Sequence, residues 1–264
     1  MEPKNDMIRD GLLTVGVDPE PVEVIYPGST HPLLLVCEHA GVSFPQTIDR
    51  LGLTSDQLGM HIASDIGAET VARKVSDRFQ CTLILQRYSR LVIDCNRQPG
   101  EPSSIPEISD SVVIPGNENL SDAARKLRET EIFEPFTAAC EAQIKRKHFR
   151  YTYSIHSFTS EMAGVHRPWD IAFLYRHPSS RAAELANLCK TMWPELSVGH
   201  NEPYDIQEGT DWYIPMCAEP RGLPHCLIEI RNDHLLDAQG CAIWADRLSQ
   251  LFIKFMESSN ATDT

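Results

Sequence analysis

The sequence predicts a single α/β domain built on a mixed, mostly parallel sheet. Three observations carry that expectation. Short apolar runs, such as Leu33-Leu34-Leu35-Val36 and Cys226-Leu-Ile-Glu-Ile230, alternate with longer stretches of helical periodicity. The first of these runs is apolar at successive positions, as expected of a strand covered on both faces. Polar clusters stand at the C-terminal ends of such runs, where open α/β sheets collect their ligands.

Taken in order, residues 1–31 are mixed polar, hold Pro21 and Pro27, and read as a loose extension before a domain spanning 32–264. Residues 33–36 form a strand that ends at Cys37-Glu38-His39-Ala40-Gly41. Between 54 and 79, Leu58, Ile62, Ile66, Val71, Val75 and Phe79 recur at near-helical spacing, which puts Asp65 on the inward stripe of a helix, one turn after His61. Residues 81–85 and 91–94 read as strands. Residues 98–119, rich in Pro, Gly, Ser and Glu, predict a long surface loop able to serve as a lid. Ser121 caps one helix, and Pro135 starts another that reaches 147. Strands follow at 151–155 and 171–175, a helix at 180–192, a late strand at 226–230 and a terminal helix at 238–256.

Of the 264 residues, 42 % are hydrophobic and 23 % charged, enough apolar material for one large core. The formal net charge of −13 argues against nucleic acid and anionic membranes as partners. It leaves a small anionic substrate open, because a few arginines can dominate a pocket. No apolar run approaches the roughly 20 residues of a membrane span. The opening MEPKNDMIRDGLL lacks the basic and apolar segments of a signal peptide, so a cytoplasmic protein is expected; a homo-oligomer stays open. The eight cysteines form no C-x-x-C pair and mostly sit among apolar residues, a pattern of buried free thiols.

The strand ends carry the chemistry. Glu38-His39 follows the first strand, Asp94-Cys95-Asn96-Arg97 the third, His156-Ser157 the fourth, and Glu229 lies in the last. A lone histidine is ordinarily a hydrogen-bonded structural residue. Two at separate strand ends, one beside a carboxylate, suit a catalytic zinc, which takes three N/O ligands and keeps a position for water. His39 and His156 supply two. Glu38 and Asp65 both stay open as the third, since neighbours on an extended chain point apart and Asp65 is costly on an inward stripe unless paired or metal-bound. Arg90 and Arg97 flank a buried-looking run, and arginine offers a planar fork for a carboxylate. Glu229, set between Ile228 and Ile230, is either an ion-pair partner of Arg231 or a general base. The segments around His166-Arg167-Pro168-Trp169 and Asn201-Glu202-Pro203-Tyr204 read as loops with packing roles.

CEHAG, SDIGAETVAR, YSRLVIDCNR, SIHSFT, GVHRPWDIAFLY, NEPY, TDWYIP and GLPHCLIEIRND resemble, in this order, the N-formylglutamate amidohydrolase family, in its shorter branch. The resemblance runs from about 33 to 246. It implies a three-layer, phosphorylase/hydrolase-like α/β fold and hydrolysis of N-formylglutamate or a similar N-acyl amino acid, in the setting of histidine degradation. SIHSFT, IDCNR and EIRND also resemble zinc carboxypeptidases. That likeness implies His156 as a zinc ligand, Asn96 and Arg97 as a carboxylate clamp with Ser157 beside them, Glu229 as the base and Arg90 as the group polarising the carbonyl. Where those enzymes have a glutamate three residues after the first histidine, this chain has Val42. Two other readings stand beside this one: a peptidase or deacylase for other N-acyl amino acids or short peptides, and a non-catalytic ligand-binding relative.

Overall fold

Every side chain of strand β2 (Leu33–Cys37) is buried, yet alternate residues enter different cores. Leu33, Leu35 and Cys37 join one apolar cluster, while Leu34 and Val36 join a second on the opposite face. A period of two buried on both sides requires layers above and below, which is why this run is apolar throughout. The computed structural model describes residues 11–262. Residues 1–10, within the segment read as lacking a signal peptide, lie outside it.

The remaining central strands are β1 (Val22–Ile25), β3 (Thr82–Gln86), β6 (Tyr151–Phe158), β9 (Ile171–Leu174), β10 (Val198–His200) and β11 (His225–Arg231). They form one seven-stranded sheet in the order β1-β3-β2-β6-β11-β9-β10. The pairings β3–β2, β2–β6, β6–β11 and β9–β10 are parallel, while β1–β3 and β11–β9 are antiparallel. The mixed, mostly parallel sheet expected from the sequence is thus present. Helices α2 (Ala68–Phe79), α5 (Ala182–Met192) and α6 (Ala238–Thr262) cover one face. The other carries α4 (Glu134–Ile144), continuous through a π-turn with α3 (Asp122–Arg128), together with residues 212–218. The result is three layers. Among the described residues no helix is long and apolar enough to cross a membrane. All eight cysteines are buried in the two clusters as free thiols.

Three local readings need correction. Val22–Ile25, inside the span read as a loose extension, pairs antiparallel with β3 and closes one sheet edge. Its residues are all half-buried, and Glu23 pairs outward with Arg73, so it lacks the apolar run of an inner strand. The stretch 54–79 is not one helix. Thr54 caps the single turn α1 (Ser55–Leu58), a turn over 59–67 follows, and α2 begins after Gly67. Gly67 has φ +78°, and a Cβ there would lie 2.4 Å from Leu235 Cβ, so the chain passes too close for any side chain. Residues 91–94 form turns rather than a strand. The Val92 N–H donates to Ser89 O, and Arg128 donates to Val92 O at 2.8 Å, fixing the segment as a buried loop. Burial alone makes such a run apolar, and periodicity cannot separate it from a strand.

The segment 98–119 contains a small hairpin, β4 (Ile108–Ser109) with β5 (Val112–Val113), and forms one wall of the main cleft. A second hairpin, β7 (Glu161–Met162) with β8 (Val165–His166), follows β6, and Met162 reaches the same cleft.

Candidate metal and active centre

The parallel strands β2, β6 and β11 all point their C-terminal ends into this cleft, of roughly 860 Å³. Alternation selects what faces it. On β6, Tyr151, Tyr153 and Ile155 enter the core under α2, α5 and α6, so Thr152, Ser154 and His156 face the other side. On β11 the same rule sends Leu227 and Glu229 to that side, with Glu229 in register with His156. β2 then turns. Gly41 lets the chain pass so near the 87–88 backbone that a Cβ would sit 2.2 Å from Arg87 C. The turn leaves both Glu38 and His39 beside His156, Glu38 at its Nε2 and the His39 ring edge-on at 4.6 Å.

His39, Asp65 and His156 each offer one ligand atom within 4.8 Å of the others, and all three are buried. Asp65 Oδ2 lies 2.8 Å from His156 Nδ1 and 3.4 Å from His39 Nδ1. The far nitrogens are spoken for. His39 Nε2 lies 2.7 Å from Asp94 Oδ1, and His156 Nε2 lies 3.0 Å from Glu38 Oε2 and 2.8 Å from Ser154 Oγ. An ionised carboxylate only accepts, so both Nε2 atoms are N–H donors. His156 Nδ1 likewise faces a carboxylate, and although burial opposes its charge, Glu38 and Asp65 outweigh that and raise the His156 pKa well above the usual range. His39 Nδ1 is buried with no hydrogen-bond partner. A bound cation would displace the proton at His156 Nδ1, so that both Nδ1 lone pairs and Asp65 Oδ2 could face one ion. Histidines oriented from behind by carboxylates are the usual outer layer of a zinc site. The residues therefore fit a zinc-like ion with two nitrogens and one carboxylate as donors.

The charge balance agrees. Glu38, Asp65, Asp94 and Glu229 are all buried around the centre, and Arg90 bridges Asp94 Oδ2 at 2.6 Å and Asp65 Oδ1 at 3.4 Å. Burial opposes ionisation of Asp65, but the charges and hydrogen bonds of His39 and His156 hold its carboxyl far below the usual range. Burial likewise opposes ionisation of Asp94, which Arg90 and then His39 outweigh. Glu229 goes the other way. Burial is the main cause that pushes its carboxyl up to about 7, and its Oε2 is buried without a partner.

The positions anticipated from the sequence divide accordingly. The structure gathers His39, His156 and Asp65, and puts Glu38 behind His156 at Nε2 instead of among the three donors. Asp65 stands in the turn before α2, held by its N–H to His39 O, and His61 makes no hydrogen bond to it but faces Asp110 Oδ2 at 3.5 Å. Glu229 makes no ion pair with Arg231, whose partners are Asp170 and Asp233. Arg90, Asn96 and Arg97 line the cleft. Arg97 donates to Asp211 Oδ1 at 2.6 Å, and Asn96 Oδ1 accepts from Tyr213 N–H. Ser157 also lines it, but its single hydroxyl hydrogen is spent on Ile66 O, and its backbone N–H donates to Asp65 Oδ2 and helps position that carboxylate. Sequence reasoning gave no role to Asp94, Ser154, Asp211 or Tyr204. An acid directly after Leu91-Val92-Ile93 is the available signal for Asp94, and the two-residue spacing of Ser154 from His156 on one strand face is that for Ser154; Asp211 and Tyr204 are joined to the site by contacts distant in sequence.

The N-formylglutamate amidohydrolase family model matches residues 31–236. The crystal structure of a gene product from Agrobacterium tumefaciens is 35 % identical, covers 94 % of this chain and 99 % of its own, and superposes with a TM-score of 0.87. The crystal structure of N-formylglutamate amidohydrolase from Ralstonia eutropha JMP134 is 17 % identical over 92 % of this chain and 100 % of its own, with a TM-score of 0.73, a likeness of fold. No curated protein matches the chain. A family match over most of the length, on a fold shared with both structures, settles the class: this chain belongs to the N-formylglutamate amidohydrolase family, hydrolases of C–N bonds other than peptide bonds.

Proposed function

We propose that the protein hydrolyses the amide bond of N-formylglutamate or a closely similar N-acyl amino acid, using a zinc ion held by His39, Asp65 and His156. The observation that carries this reading is the buried Glu229, whose Oε2 has no hydrogen-bond partner, in register with His156 on the adjacent strand. A carboxylate with its proton affinity near neutrality, beside a three-donor centre, is suited to general acid–base work. A zinc ion held by His39, Asp65 and His156 would supply a Lewis acid able to lower the pKa of water to about 7.

The chain's own residues do the rest. Glu229 takes the proton from the attacking water and returns one to the departing amine nitrogen, so the C–N bond breaks as a C–O bond forms and the products are formate and the free amino acid. Arg90, held by Asp94 and Asp65, lies in the cleft wall where a guanidinium N–H can donate to the amide oxygen as charge develops there. Arg97 and the Asn96 amide hold the substrate carboxylate. Glu38, Ser154 and Asp94 fix the histidine tautomers.

The cleft volume favours a second, related reading. About 860 Å³ lies in the upper part of the range of small-ligand sites, about 300–1,000 Å³, which leaves room for a longer acyl group or a short peptide. The deciding experiment measures amine release from N-formyl-L-glutamate, N-acetyl-L-glutamate and short N-acyl peptides, with metal content determined on the same preparation. Fastest turnover of the formyl compound by zinc-loaded protein is expected. Turnover of none of the set would overturn the reading.

A further inference from the structure

Arg167 presents a problem that the chemistry above does not solve. It is 9 % exposed, and among the described residues no carboxylate lies within ion-pair distance. Its donors go to Thr159 Oγ1 at 3.3 Å, Tyr204 Oη at 3.0 Å and Met162 Sδ at 3.0 Å, and its guanidinium lies 4.9 Å from the Tyr204 ring centre. Neutral oxygens and a thioether do not offset a buried cation. The comparison with Arg128 sharpens the point. That residue is also buried without a carboxylate, but it donates to the Val92 and Gly116 carbonyls and to Asn117 Oδ1, fastening the 91–94 turn from outside the cleft. Thr159, Met162 and Tyr204, by contrast, all line the cleft that holds the metal centre, and Arg167 stands directly behind them, its charge one layer back from the cleft surface. Arg90 and Arg97 are already matched, by Asp94 and Asp65 and by Asp211.

We propose that Arg167 and Tyr204 form a subsite for a second carboxylate of the substrate, the group that separates an acidic amino acid from a neutral one. This rests on the N-acyl amino acid reading and names the residues that select within that class. Tyr204 Oη accepts from Arg167, which leaves the phenolic hydrogen unspent for a ligand oxygen. Burial, and then the nearby Glu229 charge, raises the Tyr204 pKa, so the hydroxyl stays a donor. A carboxylate docking there receives that hydrogen bond and supplies the counter-charge Arg167 lacks, while Arg97 and Asn96 hold the other carboxylate. The two segments concerned, GVHRPW and NEPY, are those the sequence left as plain loops.

The test separates binding from turnover. Calorimetric titration compares glutarate with pentanoate, two five-carbon acids that differ by one carboxylate, on the zinc-loaded protein and on Arg167→Gln, Tyr204→Phe and Arg97→Gln. In parallel, kcat/KM is compared for N-formyl-L-glutamate and N-formyl-L-glutamine. Wild type should prefer glutarate, and N-formylglutamate over N-formylglutamine, by about tenfold or more, as expected for a charge-assisted contact. Arg167→Gln should abolish both preferences and Tyr204→Phe reduce them several-fold, with N-formylglutamine turnover within about threefold of wild type. Tyr204→Phe keeps the ring against Arg167, so it carries the test if Arg167→Gln folds poorly. Equal binding of the two acids by wild type, or a preference lost in Arg97→Gln and kept in both other variants, overturns the subsite. A glutarate preference that depends on Arg167 with no turnover of either formyl compound overturns the reaction and leaves the subsite standing.

Discussion

The two faces of the central sheet use the same strands for opposite purposes. Toward α2, α5 and α6, positions Leu33, Leu35, Cys37, Tyr153, Ile155, Cys226, Ile228 and Ile230 form one uninterrupted apolar cluster. Toward the other side, β2 and β11 contribute Leu34, Val36 and Leu227, and the strands end in Ser154, His156 and Glu229, with Glu38 directly after β2. One residue of register separates Ile228 from Glu229 and Ile155 from His156. The difference shows why the centre can hold four buried carboxylates: the face behind it supplies the rigidity and burial that the polar face forgoes.

The comparison breaks most sharply if a residue from each face is removed. His156→Ala should lose stoichiometric zinc and with it nearly all turnover, while circular dichroism stays that of the folded protein. Ile228→Ala should do the reverse, costing about 2–5 kcal/mol of stability in a thermal or denaturant melt while the surviving folded fraction keeps its metal. Full zinc content in His156→Ala would remove the metal assignment.

Glu229→Gln comes next in size. The amide keeps shape and volume but accepts no proton, so turnover should fall on the order of a hundredfold or more. Zinc content and melting temperature should stay near wild type, because Glu229 has no ion pair to lose. A rate within a few-fold of wild type would mean that the base lies elsewhere.

A smaller effect tests the layer behind the ligands. Asp94→Asn leaves His39 in place but no longer demands an N–H at Nε2, which should weaken zinc affinity by about 10–100-fold in a chelator competition. Glu38→Gln should weaken it similarly, whereas Asp65→Asn, among the three donors, should weaken it far more. Equal losses for Glu38→Gln and Asp65→Asn would return Glu38 to the ligand set.

The strands β2, β6 and β11 were legible because their apolar runs are continuous and short, and the residues ending them marked the site. Asp65 was picked out as a buried acid but placed on a helix, because Ile62 and Ile66 keep apolar spacing through what is a turn made possible by Gly67. Residues 91–94 misread as a strand for the same reason: burial in a loop fixed by Arg128 leaves the same apolar signature as burial in a sheet. β1 was invisible because an edge strand is half-buried and alternates Glu23 with valines. The contacts of Asp94 with His39 and of Arg167 with Tyr204 span 55 and 37 residues, so no local pattern could record them.

The smallest expected effect concerns Arg97, which stands at the polar end of the same face. Its guanidinium is already engaged by Asp211 at 2.6 Å and by the Asn96 carbonyl at 3.0 Å, both through one terminal nitrogen. The remaining donors are what a substrate carboxylate can use. Arg97→Lys keeps the charge and can keep the Asp211 contact, but a single ammonium cannot span two carboxylate oxygens as the planar fork does. KM for N-formylglutamate should therefore rise a few-fold while kcat changes little, the pattern of a lost ground-state contact. The α-amide of the same substrate lacks the second oxygen anion, so the variant and wild type should turn it over almost equally. That pairing distinguishes a substrate contact from a structural one: if Arg97 served only to hold Asp211 and the 207–212 turn, the acid and the amide would lose rate together, and equal turnover of the two by wild type would remove Arg97 from the substrate site.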